Sequence, residues 1–179
     1  MEKLSVLADS KGRDLRRVRG ILTVVIAGLV LSGLTAFPLV HELNLLAAMV
    51  SGEGGEPRIE AFAGLTRWIL KVREGLAETQ KSYPFLAYGT DWLAFGHLVI
   101  AGFFVLPWRE PVRYEGVLWV GVAACVAVIP TALICGEIRG IPLGWRVIDS
   151  CFGVFCLAPL GLAIRWTKRL ENREATERK

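Results

Sequence analysis

Residues 116–135 read GVLWVGVAACVAVIPTALIC and contain no charged side chain. A helix rises about 1.5 Å per residue, so a run of this length covers about 30 Å, the thickness of the hydrocarbon core of a bilayer. Pro130 lies inside the run and is expected to kink the helix. The stretch therefore predicts a membrane-spanning helix.

Three other apolar runs of similar length lie at residues 20–40, 88–107 and 147–166. Hydrophobic residues make up 53% of the chain, and the charged residues lie between the apolar runs. A cleaved signal peptide does not explain residues 20–40, because the run is too long and no small-residue cleavage site follows it. These patterns predict an all-α membrane protein with four transmembrane helices in one domain, residues 20–166.

The segments outside these runs are polar. Residues 1–19 are basic, and part of them is expected to form an amphipathic helix on the membrane surface. Residues 57–81 have apolar side chains at intervals of three and four, which predicts an amphipathic helix outside the membrane, between spans one and two. The SGEGGEP sequence at 51–57 predicts a flexible loop before it, and residues 167–179 form a charged tail.

Small residues recur every four positions in two of the predicted spans. They are Gly28, Ser32 and Ala36 in span one, and Ala123, Ala127, Thr131 and Cys135 in span three. Small residues let helices approach closely in a membrane. Each stripe is therefore predicted to face a neighbouring helix.

The distribution of basic residues predicts the orientation. With four spans, both termini and the 108–115 loop lie on one side and carry 14 of the 21 Lys and Arg residues. The positive-inside rule then places both termini in the cytoplasm. Because the basic residues border apolar runs, the expected partner is a bilayer with anionic headgroups and not nucleic acid.

A few ionisable residues lie in or beside the predicted spans. His97 is well inside span two, while Asp91, Arg139, Arg146 and Asp149 are near the predicted outer interface. An ionisable group inside a membrane suggests function, so these five residues are the predicted ligand or polar pocket.

Each of these residues also has a structural interpretation. His97 could hydrogen-bond a neighbouring helix, or Thr90 on its own helix. Asp91 and Asp149 could stabilise the first turns of their helices. The two arginines could pair with Asp149, Asp91 or Glu137.

Redox chemistry is a second interpretation. His97 could contact a haem or a quinone, although His41 lies about two turns nearer the outer surface and is badly placed as a second iron ligand. Cys135 ends span three and Cys151 opens span four, so a disulfide between them is an alternative. No Cys and His spacing typical of zinc occurs, so no metal is predicted.

Three motifs carry a resemblance: YPFLAYGTDWLAFGH (83–97), EPVR (110–113) and CGEIRGIPLGWRVIDSCFGV (135–154). They resemble a set of small bacterial membrane proteins with four predicted spans, to which no activity is assigned. The resemblance implies the bacterial inner membrane. Those sequences have a proline at the position of Glu137, which leaves Arg139 and Asp149 as better site residues.

The leading functional prediction is a non-enzymatic membrane subunit or binding protein with an outer-leaflet polar pocket that holds a protein partner, a lipid or a small ligand. A redox protein with haem or quinone at His97 is the alternative. A transporter subunit is the third, and four spans would then require a homo-oligomer. No motif of a soluble enzyme is present, so no catalytic residue is assigned.

Overall fold

The computed structural model of the protein describes residues 2–177, with side chains described for residues 9–52 and 54–176. This part of the chain is almost entirely helical and has no strand. Its six α-helices are α1 Glu2–Ala36, α2 Leu39–Val50, α3 Ala63–Ser82, α4 Ala87–Arg109, α5 Glu115–Ile138 and α6 Leu143–Glu177. Four stretches are long and apolar enough to cross a membrane: Asp9–Ala36, Pro84–Arg109, Glu115–Ile138 and Leu143–Thr176. The predicted all-α, four-span fold is confirmed.

Prolines mark some of the helix ends and lie inside other helices. α1 ends at Ala36, two residues before Pro38, which has no N–H to continue the helix. Pro107 is the last residue of the apolar run 88–107, but α4 continues through it to Arg109. Pro130 lies inside α5, as predicted, and Pro159 lies inside α6.

The N-terminal segment differs from its prediction. It is not a separate surface helix, because α1 runs without a break from Glu2 into the first span. Leu15, Val18 and Leu22 follow each other at three and four residues, and the last two are fully buried. This apolar stripe continues the packed face of the span and explains why the helix is not interrupted. α6 likewise extends through the charged tail to Glu177.

The chain divides into two compact units, residues 1–29 with 99–179, and residues 30–98. The first unit contains the main hydrophobic core. Its buried members come from α1, α4, α5 and α6: Val18, Leu22, Phe104, Leu118, Leu160, Ala163, Ile164 and Leu170.

In the first unit, α5 and α6 are the most closely packed pair of helices. A Cβ at Gly153 would lie 2.3 Å from the carbonyl oxygen of Cys125, and one at Gly121 would lie 3.1 Å from the Leu160 side chain. The predicted stripe of Ala123, Ala127, Thr131 and Cys135 is exposed instead. The prediction chose the wrong face of α5, because alanines and glycines occur on both faces.

The stripe predicted for span one is wrong for the same reason. A Cβ at Gly28 would meet nothing within 4 Å, whereas one at Gly33 would lie 2.9 Å from the carbonyl oxygen of Ala94 and 3.0 Å from Leu98. Gly33 is therefore the residue that lets the end of α1 approach α4 within the 30–98 unit.

The rest of the 30–98 unit is built from α2 and α3, which pack on each other. Leu43 and Ala47 of α2 and Ile69 of α3 are buried. The loop between the helices contains Gly54 and Gly55, both with positive φ. Arg58 closes the loop by donating hydrogen bonds to the carbonyl oxygens of Ser51 (2.9 Å) and Ala48 (3.3 Å).

Candidate functional site

The 30–98 unit contains a cavity of about 390 Å³. It lies where Pro38 separates α1 from α2 and where the end of α3 meets the start of α4. Its apolar lining consists of Phe37, Pro38, Leu39, Val40, Leu76, Leu86 and Ala87. The volume is within the usual range for a small-molecule site.

Five polar side chains line the same cavity: His41, Asn44, Thr79, Gln80 and Thr90. Thr90 donates a 2.6 Å hydrogen bond to the carbonyl oxygen of Ala87, and its hydroxyl oxygen can still accept one. No Asp, Glu, Lys or Arg is among the described residues of the lining. The cavity is therefore suited to a molecule with an apolar body and a neutral hydrogen-bonding group, because a charged group would be left without a counter-charge.

His97 lies on α4 in the same unit, and its partner is not the one expected. Its Nδ1 lies 2.8 Å from the carbonyl oxygen of Leu93, one turn earlier in the same helix. Thr90 bonds Ala87 instead of His97. Because a carbonyl oxygen can only accept, Nδ1 carries a proton, and in the neutral imidazole Nε2 then presents a lone pair.

The structural interpretation of Asp91 required it to lie in the first turn of its helix, and it does not. α4 starts at Ala87, so Asp91 is one turn inside it. Asp91 is half-buried and makes no hydrogen bond or ion pair with the residues that the structure describes. It is six residues from His97, which places the two side chains on different faces of α4.

Arg146 lies in the other unit, where it holds the connection between α5 and α6. Its side chain crosses Gly136, donates a 3.2 Å hydrogen bond to the carbonyl oxygen of Leu133 and pairs with Glu137. Only 14% of the side chain is exposed. These contacts give Arg146 a structural role, and they give Glu137 one as its partner.

The turn beside Arg146 is also well defined. Gly140 has φ of 67° and donates to the carbonyl oxygen of Glu137, while Ile141 donates to that of Gly136. This pair of bonds is a Schellman motif, which closes the end of α5. Arg139 occupies the C-cap position of the motif, and its side chain is exposed.

Asp149 does not lie at a helix start either. α6 begins at Leu143, so Asp149 is more than one turn inside it. It is half-buried, and among the described residues it has no ion-pair partner; Arg146 pairs with Glu137 and not with Asp149. Of the five predicted site residues, Asp91 and His97 therefore belong to the 30–98 unit, and Arg139, Arg146 and Asp149 belong to the other.

The four cysteines are free thiols in this structure, and the alternative of a disulfide between Cys135 and Cys151 stays a prediction. Because α5 and α6 are antiparallel and Gly136 lies against Arg146, Cys135 is level with about residue 147 of α6. Cys151 is therefore displaced from Cys135 by about four residues, or about 6 Å along the helix axis.

The cavity was missed by the sequence prediction. One signal for it was present, because Pro38 separates an apolar span from a half-apolar segment that contains His41 and Asn44. The contribution of α3 could not be seen, since Thr79 and Gln80 are polar residues in a helix already expected to be polar on one side.

Comparisons with protein-family models, curated proteins and solved structures find no match to this chain.

Proposed function

We propose that this protein is a non-enzymatic binding protein of the bacterial inner membrane, with both termini in the cytoplasm, and that it holds a neutral amphipathic molecule in the cavity of the 30–98 unit. The cavity carries the proposal. Its wall is apolar at Phe37, Leu76 and Leu86, and its hydrogen-bonding groups are uncharged amides and hydroxyls together with one imidazole. Membrane-soluble molecules with a polar, uncharged head match this lining.

The test compares what co-purifies with the protein and with two variants. Ala87 is a small residue of the lining, so Ala87→Phe fills part of the cavity. Ala77→Phe places the same side chain at an exposed position of α3 outside the lining, and is the matched control. Each protein is extracted with its native lipids, and the neutral lipids are identified by mass spectrometry.

We expect a neutral lipid to be enriched over the bulk membrane with the wild type and with Ala77→Phe. The amount of bound neutral lipid should fall about tenfold with Ala87→Phe, which corresponds to a loss of about 1.4 kcal/mol of binding free energy. Equal recovery from all three proteins, or recovery of bulk phospholipid alone, would contradict the proposal.

A redox role at His97 is the second candidate, and one observation favours it. Histidines that bind a metal usually donate the other ring N–H to a backbone carbonyl or carboxylate. His97 already donates Nδ1–H to Leu93 and leaves Nε2 for an iron or for the N–H or O–H of a ligand. An absorption spectrum and a quinone extraction of the purified protein test the redox role of His97. If neither a Soret band nor a bound quinone is found, that role is ruled out.

A further inference from the structure

The closest approach of α5 and α6 is at Gly153. A Cβ at this position would lie 2.3 Å from the carbonyl oxygen of Cys125 and 3.5 Å from the Val128 side chain. A Cβ 2.3 Å from a backbone oxygen is impossible, so only glycine permits this spacing. The two backbones are therefore in direct contact near the middle of α5 and ten residues after the start of α6.

The contact at Gly153 brings two thiols together. Cys156 is three residues after Gly153 and lies on the same side of α6. Its thiol is a neighbour of the Cys125 thiol. Neither residue was part of the predicted site, because no spacing in the sequence indicates that they meet.

The surroundings decide which reagents can reach this pair. Cys125 is near the middle of α5, ten residues from Glu115 and further from Glu137, the nearest charged residues of the helix. Cys125 is half-buried, and Cys156 is exposed on the surface that the bilayer covers. Water-soluble oxidants do not enter the hydrocarbon core, whereas lipid-soluble molecules do.

The charge balance also fits this location. Two thiols and a disulfide are both neutral, so oxidation of the pair leaves no charge in the hydrocarbon core, where a charge is costly. A disulfide needs Cα atoms about 4.4–6.8 Å apart, a spacing that requires helices in backbone contact. The contact of Gly153 with Cys125 shows that α5 and α6 are this close near the two cysteines.

We propose that Cys125 and Cys156 form a dithiol–disulfide couple within the membrane, and that its oxidant is a lipid-soluble quinone. Two S–H bonds break and one S–S bond forms. The two electrons and two protons pass to the quinone, which leaves as a quinol. This proposal is independent of the cavity in the 30–98 unit, because it uses different residues and a different reaction.

The experiment uses the full chain, reduced and then reconstituted in phospholipid nanodiscs. One sample receives a benzoquinone with a decyl side chain, and another receives oxidised glutathione. Remaining free thiols are alkylated after denaturation, and the linked peptides are identified by mass spectrometry. Quinol formation is followed by its ultraviolet absorbance.

We expect the quinone, and not glutathione disulfide, to link Cys125 to Cys156, with one quinol formed for each disulfide. Cys156→Ser should abolish both the link and the quinol, and its exposed position makes the variant safe for folding. The double variant Cys135→Ser/Cys151→Ser should behave like the wild type. No link with the quinone, a link that needs glutathione disulfide, or a link between Cys135 and Cys151 would each overturn the proposal.

Discussion

Arg146 has a long charged side chain, yet it is mostly buried beside the turn that joins two transmembrane helices. The missing side chain of Gly136 makes room for it, and the Leu133 carbonyl oxygen and Glu137 provide its partners. A charge in this position is tolerated because it is paired and hydrogen-bonded. At the scale of single residues, the polar residues that first suggest a ligand site thus divide into two groups. Some have protein partners, such as Arg146, and others have no ion-pair partner among the described residues, such as Asp149.

Replacing Gly136 with alanine tests the role of Arg146. The new Cβ would lie 2.5 Å from Cδ and 2.6 Å from Cγ of Arg146, so the side chain must leave its position. The loss of a charge-assisted hydrogen bond and an ion pair should cost about 2 kcal/mol, or about 5 °C in Tm, measured by thermal unfolding in detergent.

Gly144→Ala is the control, because a Cβ there meets nothing within 4 Å. Gly144 lies in the first turn of α6, and alanine is favoured over glycine in helices. This variant should be unchanged or slightly stabilised. If both variants have the same Tm, Arg146 does not hold the α5–α6 connection.

At the scale of elements, α1 and α6 are the longest helices, with 35 residues each. A helix of this length extends about 50 Å, well beyond a hydrocarbon core of about 30 Å. Their polar ends pair with each other outside the apolar segments. Asp14, which is 3% exposed, lies 3.1 Å from Nε of Arg173, and Arg173 also hydrogen-bonds Ser10.

Aromatic and basic side chains pack against each other near the paired ends of α1 and α6, in the unit formed by residues 1–29 and 99–179. The guanidinium groups of Arg17 and Arg169 lie over the ring of Trp166, at 4.3 and 4.4 Å from its centre. Arg19 covers Trp108 and donates hydrogen bonds to the carbonyl oxygens at the end of α4. These pairs match the interfacial position of Trp and Arg at a membrane surface.

A double-mutant cycle on Asp14 and Arg173 measures how strongly the two helix ends are coupled. Arg173→Ala should destabilise more than Asp14→Ala, because it leaves a buried carboxylate whose remaining cation, Arg17, is 3.7 Å away. The double variant should lose less unfolding free energy than the two single variants lose together. The difference, measured by denaturant unfolding, is the coupling energy and should be about 1–2 kcal/mol.

The control cycle uses the exposed pair of Arg113 and Glu110. Both side chains are mostly exposed, at 69% and 55%, and the hydrogen bond from Arg113 to Glu110 raises the pKa of the guanidinium. Exposed ion pairs contribute little to the free energy of unfolding, so this cycle should show no measurable coupling energy. Equal coupling in the two cycles would mean that the ends of α1 and α6 are not held by the buried pair.

At the scale of the whole molecule, the sequence predicts the spans well and the packing poorly. A long uncharged run, such as residues 116–135, predicts a membrane-spanning helix, because a helix satisfies its backbone hydrogen bonds internally within the bilayer. The packed face of each span was not predictable, because a membrane helix is apolar on all sides and periodicity no longer distinguishes lipid from protein. This is why the contacts at Gly33 and Gly153 were missed, and with them the pairing of Cys125 and Cys156.

The polar contacts were not predictable for a different reason. Asp14 and Arg173 lie at opposite ends of the chain, and nothing local in either segment indicates that they meet. His97 satisfies its Nδ1 within its own helix, which no spacing argument distinguishes from a bond to another helix. A single sequence thus identified residues that need partners without identifying the partners.

The predicted orientation can be tested by labelling single cysteines in a background in which all four native cysteines are replaced by serine. Three exposed positions outside the spans are suitable: Glu56, Arg113 and Arg139. Four spans place successive connections on alternate sides of the membrane, and 14 of the 21 basic residues lie on the side of the termini. Glu56→Cys and Arg139→Cys should therefore lie on the outer side. In spheroplasts, where the outer face of the inner membrane is open to the reagent, both should react with a membrane-impermeant maleimide. Arg113→Cys should react only after the inner membrane is permeabilised. The opposite pattern would reverse the orientation, and labelling of Glu56→Cys and Arg139→Cys from different sides would contradict the crossing of the membrane by both α4 and α5.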